Sequence, residues 1–261
     1  MNVLFAGDIM GSKGRLAFSE IVPGLKSSGR VDIVVVNAEN SAGGKGLSPK
    51  IAEQLFDTGA DVITLGDHAW DQRELVSYIA DEPRIVRPAN FSQAAPGKGE
   101  YTLDSPFGKL TVMSLIGRVF MKPYNCPFQK ADEMLGQKNG KAAAILVDFH
   151  AEATSEKMAM GHHLDGRVSA MLGTHTHVQT SDEKVLPGGT AYVTDAGMTG
   201  PQYSIIGCEI EAVLKNFTTG MPARFKPAET TAALEGVIMD IDHMSGTARS
   251  IERLRIVHGA A

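Results

Sequence analysis

The sequence predicts an α/β fold, and three observations carry that prediction. Short apolar runs alternate along the chain with longer stretches of helical periodicity. The runs are rich in Val, Ile and Leu without polar alternation, as expected of strands covered on both faces. A length of 261 residues allows a sizeable core within one large α/β domain.

The first run, "VLFAG" (3–7), precedes helical spacing over 13–26. "DIVVVN" (32–37) is followed by helical spacing over 48–58, and "DVITLG" (61–66) by the same over 71–79. Segment 100–118, "EYTLDSPFGKLTVMSLIGR", reads as a hairpin turning at Pro106-Phe107-Gly108. "AAAILVDF" (142–149) is a fourth core run with helical spacing over 155–162, and "RVSAMLG" (167–173) is a fifth. The tail gives two more strands around Met244-Ser245-Gly246. No repeat, low-complexity tract or linker interrupts the chain, so one domain over 1–261 is expected. A small subdomain has room within 80–140 or 200–230.

Composition narrows the function classes. A net charge of -5 argues against a general nucleic-acid coat or an anionic membrane surface, both of which favour basic proteins. A small phosphorylated substrate stays open, because a bound metal can supply positive charge locally. No apolar run approaches the ~20 residues that cross a bilayer. The start, "MNVLFAGDIMG", lacks a basic segment and reads as a first strand instead of a signal peptide. Cys126 and Cys208 match no zinc spacing and read as small buried hydrophobes. A cytoplasmic protein is expected.

The chemistry lies where the strands end. The five core runs stop at Asp8, at "NAEN" (Asn37, Glu39, Asn40), at "GDH" (Asp67, His68), at His150, and at "THTH" (His175, His177). Taken singly, Asp8 reads as a helix cap, Glu39 as a surface or capping residue and His150 as a satisfied core histidine. In extended chain His175 and His177 would share a face. Open α/β sheets bind ligands outside the carboxyl ends of their strands. Five runs would thus deliver carboxylates and imidazoles to one edge of one sheet, each strand a rigid mount for a ligand. Without a thiolate, a structural zinc site is not indicated. Three carboxylates and three histidines exceed the usual protein ligands of one ion, which suggests two ions sharing a carboxylate. Mixed oxygen and nitrogen donors suit Fe, Mn, Zn or Ni alike. His162, His163, His243 and His258 follow no core strand and are left out of the site.

These segments resemble the calcineurin-like metallophosphoesterases: "GD" at 7–8, "NAEN" at 37–40, "GDH" at 66–68, "DFH" at 148–150 and "GTHTH" at 173–177. The likeness is closer to one bacterial branch, the YmdB-like phosphodiesterases. It rests on "NAEN", "RPANF" (87–91), "GRVFM" (117–121), "DFHAEATSEK" (148–157), "LDGRVSA" (164–170), "GTHTHVQT" (173–180) and "TDAGMTGP" (194–201). The resemblance implies a four-layer α/β/β/α sandwich with a dinuclear centre and Glu39 as the bridging ligand. Asp8, His177 and Asn40 would complete one metal, and Asp67, His150 and His175 the other. His68 would stand near the scissile phosphate without binding metal.

The implied activity is hydrolysis of cyclic nucleotides, 2′,3′-cyclic and also 3′,5′-cyclic, by a metal-activated hydroxide, in a homo-oligomer. Two departures are visible. Met10 stands where the broad family has a histidine, as it does in the branch, and Asp67 stands where the branch usually has Asn. Arg118 could fix a phosphate or serve in an ion pair, and the glycines of "SAGGKG" (41–46) leave backbone room beside the metals. The rival readings are a nucleotide phosphomonoesterase and a regulatory protein with a weakly active metal site.

Overall fold

The apolar runs become strands of two sheets in the structure, a computed structural model that describes residues 1–137 and 144–259. The chain opens with β1 (Asn2–Ala6), β2 (Asp8–Ile9), α1 (Gly11–Ser27), β3 (Ile33–Asn37) and α2 (Pro49–Asp57). It continues through β4 (Val62–Thr64), α3 (Arg73–Asp81), β5 (Ile85–Val86), β6 (Glu100–Ser105), β7 (Gly108–Ile116) and α4 (Pro127–Gly136). Next come β8 (Ala144–His150), α5 (Thr154–Leu164), β9 (Ala170–Thr174), β10 (Lys184–Val185), β11 (Ala191–Val193) and β12 (Met198–Pro201). The chain finishes with α6 (Ile210–Thr219), β13 (Ala232–Ile241) and β14 (Ala248–Val257).

An eight-stranded sheet runs β2-β12-β13-β1-β3-β4-β5, with β14 paired to β13. A six-stranded sheet runs β10-β11-β9-β8-β7-β6. Strands β1, β3, β4 and β5 are parallel, as are β7, β8, β9 and β11, so each sheet gathers carboxyl ends at one edge.

Period-two alternation sorts the buried side chains into layers. Val3, Phe5, Ile33 and Val35 of the first sheet meet Leu110, Val112, Leu146 and Leu172 of the second in a shared core. The intervening Leu4, Val34 and Val36 pack instead on Phe18 and Val22 of α1, Leu55 of α2 and Leu75 of α3. On the far side, Ile145, Val147 and Met171 pack on Met134 of α4 and Met160 of α5. The result is the expected four-layer α/β/β/α sandwich.

Local signals set the helix starts; at α2, Ser48 Oγ accepts from Ile51 N at 3.4 Å and Pro49 opens the first turn. Both expected hairpins form, as β6–β7 and β13–β14.

Four expectations need correction. The five core runs do not reach one sheet: β1, β3 and β4 belong to the eight-stranded sheet, β8 and β9 to the six-stranded one. Two helices, α4 and α6, form where helical spacing assigns none; α4 buries only Pro127, Ala131 and Met134, and α6 only Val213. Cys126 and Cys208 are half-buried free thiols, because they lie in the approaches to α4 and α6 and not on a core strand. His175 and His177 are not in extended chain, as described below. Residues 142 and 143 of the fourth run lie outside the described residues. No helix is long and apolar enough to cross a membrane among those described.

Candidate metal centre

His150 ends β8 as a fully buried side chain with carboxylates on two sides. Its Nε2 lies 3.0 Å from Glu39 Oε1 and 3.1 Å from Asp67 Oδ1. His175 Nδ1 stands 2.9 Å from the same Nε2 and 3.4 Å from Asp67 Oδ1. Glu39, Asp67, His150 and His175 thus offer four donor atoms within 4.8 Å of one another, a cluster that could hold a metal ion. The Asp67 side chain points into this cluster instead of capping its own turn.

Gly66 makes the approach possible. A Cβ there would meet His150 Cδ2 at 2.3 Å and Glu39 Oε2 at 2.5 Å, so any side chain would push into the donors.

Asp8 and Asn40 supply the second observation. Asp8 is fully buried, its Oδ2 accepting from His175 N at 3.3 Å while Oδ1 has no hydrogen-bond partner. Asn40 donates through Nδ2 to Gly44 O at 3.0 Å, and its buried Oδ1 is likewise unpartnered. Orphaned buried oxygens of this kind are costly unless a cation or water meets them. Burial pushes Asp8 up to about 7, with Asp195, Glu39 and Asp148 adding to the rise and His150 opposing it. Burial also acts on Glu39 and Asp67, but the charge and hydrogen bonds of His150 outweigh it and hold both below the usual carboxylate range. Burial would depress His150, yet Glu39 and Asp67 push it well above its ordinary value. Carboxylates crowded around one buried imidazole demand positive charge, and this donor set fits divalent metal.

The histidine pair is separated by a strained turn. His175 has φ 100° and His177 φ 63°, left-handed values that non-glycine residues adopt at a cost. The turn sends His175 into the cluster, whereas His177 Nδ1 lies 3.0 Å from the Ile206 carbonyl. Donation to that carbonyl puts the proton on Nδ1 and leaves the Nε2 lone pair free. Asp195 holds the turn: its Oδ2 accepts from Thr176 N at 3.1 Å, Thr176 Oγ1 at 2.6 Å and Lys157 Nζ at 2.7 Å. The Lys157–Asp195 pair is almost wholly buried.

The residues behind the donors are the ones the strand-end pattern misses. His150 Nδ1 lies 2.9 Å from Thr174 Oγ1, which donates to Asp148 Oδ1 at 2.7 Å. Asp148 Oδ2 accepts from Asn37 Nδ2 at 3.1 Å and from Thr64 Oγ1. Asn37 is therefore a support for Asp148, and Thr174 and Asp148 fix the ring of His150 with Nε2 toward the donors. A buried Asp within an otherwise apolar strand was the available signal for Asp148. Glu152 Oε2 takes the outer nitrogen of His175 at 3.2 Å.

His68 stands beside the donors. Its Nδ1 meets Asp71 Oδ2 at 2.9 Å, and its Nε2 is 4.0 Å from Asp67 Oδ2. Its backbone N–H donates to Glu39 Oε2 at 3.0 Å. Met10 is buried and apolar. Arg118 is exposed, with its backbone N–H on Glu156 and its Nη2 on Cys126 Sγ at 3.5 Å. Of the histidines left out, His163 pairs with Asp132 and His258 with Glu20, away from the centre.

Known proteins are similar to this one over the whole chain. Residues 4–254 match the family described as YmdB-like protein. A 2′,3′-cyclic-nucleotide 2′-phosphodiesterase of Bacillus subtilis is 48% identical over 98% of this chain and 97% of its own. A hypothetical protein from Thermus thermophilus superposes with TM-score 0.92 at 41% identity, covering 98% of this chain and 99% of that one. A phosphatase from Mycoplasma pneumoniae also gives TM-score 0.92, at 34% identity, covering 98% and 93%. With the fold, the strand-tip donors and matches of this extent, the chain belongs to the YmdB-like protein family.

Proposed function

We propose that this protein is a metal-dependent phosphodiesterase that hydrolyses 2′,3′-cyclic nucleotides, with 3′,5′-cyclic nucleotides as a further substrate. One observation carries the reading: two sheets deliver Glu39, Asp67, His150 and His175 to one cluster beside Asp8, whose buried Oδ1 has no hydrogen-bond partner. The relative from Bacillus subtilis, named for this activity, supports the substrate class.

Asp8, Asn40 and His177 would hold one transition-metal ion, and Asp67, His150 and His175 a second, with Glu39 shared. Bound there, two such ions would supply the acidity that ionises a water and the positive charge that offsets the phosphoryl oxygens. The protein's own groups orient and protonate. Asp71 holds His68 through Nδ1, leaving Nε2 to give a proton to the leaving oxygen. Asp148 and Thr174 keep His150 in one tautomer, and Asp195 keeps the His175–His177 turn in register.

The core shared by the two sheets supports a single domain over 1–261. Two free thiols, Cys126 and Cys208, accord with a reducing, cytoplasmic setting. The resemblance to the branch supports a homo-oligomer.

Turnover of 2′,3′-cyclic AMP, bis-p-nitrophenyl phosphate and p-nitrophenyl phosphate, measured with metal content, tests the reading. Both diesters should be hydrolysed well ahead of the monoester; the reverse order would make the protein a phosphomonoesterase. His68→Ala should retain metal and lose on the order of 10²–10⁴-fold on the cyclic nucleotide. The loss should be smaller on the nitrophenyl diester, whose leaving group needs little protonation. Equal losses would make His68 a positioning residue.

A further inference from the structure

Beside Asp67 lies a cleft of about 440 Å³ whose lining includes Trp70, Phe91, Ser92, Tyr124 and Asn125. Ligand pockets usually span about 300–1,000 Å³. Three rings form a row along it. Phe91, nearly buried, sits in the middle, with Trp70 at 6.1 Å and Tyr124 at 5.0 Å between ring centroids. The outer two rings are half-exposed.

The cleft is a built feature. Phe91 rides on the "RPANF" segment, where the buried Arg87 guanidinium donates to the carbonyls of Pro88, Ala95, Pro96 and Gly97 at 2.8–3.4 Å. Tyr124 rides on the loop after "GRVFM". Asn90 ties that loop down, donating to Ile116 O and Asn125 O at 2.8 Å each and accepting from Ile116 N at 2.9 Å. At the loop's start, the Glu156 carboxylate accepts from Arg118 N and Val119 N. Two segments that provide no metal donor are thus pinned by buried polar side chains, and what they hold in place is an aromatic wall.

The cleft meets the metal centre at Asp67, which lines both. A second cleft of about 380 Å³ flanks His177. Among the described residues no Phe, Tyr or Trp lines it. Its Arg255 is already paired with Glu235 and its Arg253 with Glu183.

We propose that the Trp70–Phe91–Tyr124 cleft is the nucleobase subsite, in which the base stacks on a half-exposed ring while its phosphodiester lies at the metal centre. The proposal rests on the phosphodiesterase reading only for the position of the phosphate. Every nucleobase has a π-face, so stacking admits several bases, and polar lining side chains such as Ser92, Lys122 and Asn125 would discriminate among them.

Trp70 is the only tryptophan in the chain, which gives the test its own signal. Adenosine, which has no phosphate, should quench the emission of the metal-loaded protein saturably, and ribose should not. Tyr124→Ala should weaken that titration by roughly 10-fold, within the usual worth of base–aromatic stacking. In kinetics, Trp70→Ala should raise KM for 2′,3′-cyclic AMP by roughly 10-fold relative to its change for bis-p-nitrophenyl phosphate. Trp70→Phe should recover most of that difference. No adenosine quenching, equal KM changes on both substrates, or no recovery by Trp70→Phe would each overturn the subsite. If adenosine quenches but neither diester is hydrolysed, the subsite stands and the phosphodiesterase reading falls.

Discussion

The two halves of the proposed metal centre differ in how completely the protein assembles them. On the Asp67 side, Glu39, Asp67, His150 and His175 already touch one another at 2.9–3.4 Å. On the Asp8 side, Asp8 Oδ1 and Asn40 Oδ1 are buried without hydrogen-bond partners, Asp8 Oδ1 lying 3.9 Å from His150 Nδ1, and His177 is anchored to Ile206. In the first half the His150 ring bridges Glu39 and Asp67, so each carboxylate has an imidazole partner in hydrogen-bond range. The second holds a carboxylate whose nearest cationic partner, the His150 ring at 3.9 Å, does not offset its burial, so Asp8 is lifted to about 7 while Asp67 is held low. The lesson is that similar donor types can be satisfied or frustrated by geometry alone, and the frustrated half gains more from a cation.

The largest effect should come from the residue that joins the halves. Glu39→Gln should drop turnover to the level of chelated protein and reduce metal content on both sides, measured by elemental analysis. Full activity in that variant would remove Glu39 from its shared role.

Thr174→Val cuts the link from His150 to Asp148 and touches only the Asp67 half. It should cost roughly 10–100-fold in metal affinity or activity, the usual weight of a group that orients a ligating histidine. Metal titration should show one site weakened and the other unchanged; two sites weakened equally would dissolve the distinction between the halves.

Asp67→Asn should cost less, because an amide oxygen still faces His150. With Asp8, Glu39 and Asp67 ionised, two divalent ions leave the donors near a net charge of +1; Asn raises this to +2. Activity should be retained, affinity for the second metal should fall, and inorganic phosphate should inhibit more strongly. Unchanged metal affinity and unchanged inhibition would show that the charge of Asp67 is not felt at the metals.

The smallest effect should be on stability. Metal at about 100 times its Kd should add about 2.7 kcal/mol to folding. That corresponds to a rise in Tm of several degrees for a chain of this size. Asp8→Asn, which removes a charge that burial disfavours, should raise the Tm of metal-free protein and shrink the gain from metal. A lower metal-free Tm in that variant would contradict the account of Asp8.

Much of the site was legible because it sits where local patterns end. An apolar run that stops at Asp8, Glu39, Asp67 or His150 announces both a strand and what the strand carries. The supporting groups were less visible: Thr64, Thr174 and Asp195 look ordinary until distant segments bring them together. Thr64 and Asp148 meet across 84 residues, and Lys157 and Asp195 across 38. The turn at 175–177 reads as extended chain from its sequence, and only the hold of Asp195 on Thr176 bends it into left-handed conformations.

The sequence by itself determined which carboxylates and imidazoles stand at strand tips, because alternation and run length are properties of neighbouring residues. Tertiary structure alone decided that the tips come from two sheets, that one half of the centre is paired and the other is not, and that Trp70, Phe91 and Tyr124 share a wall. Those outcomes depend on contacts between segments far apart in the chain, whose pairing is set by packing and buried hydrogen bonds and leaves no mark on local periodicity.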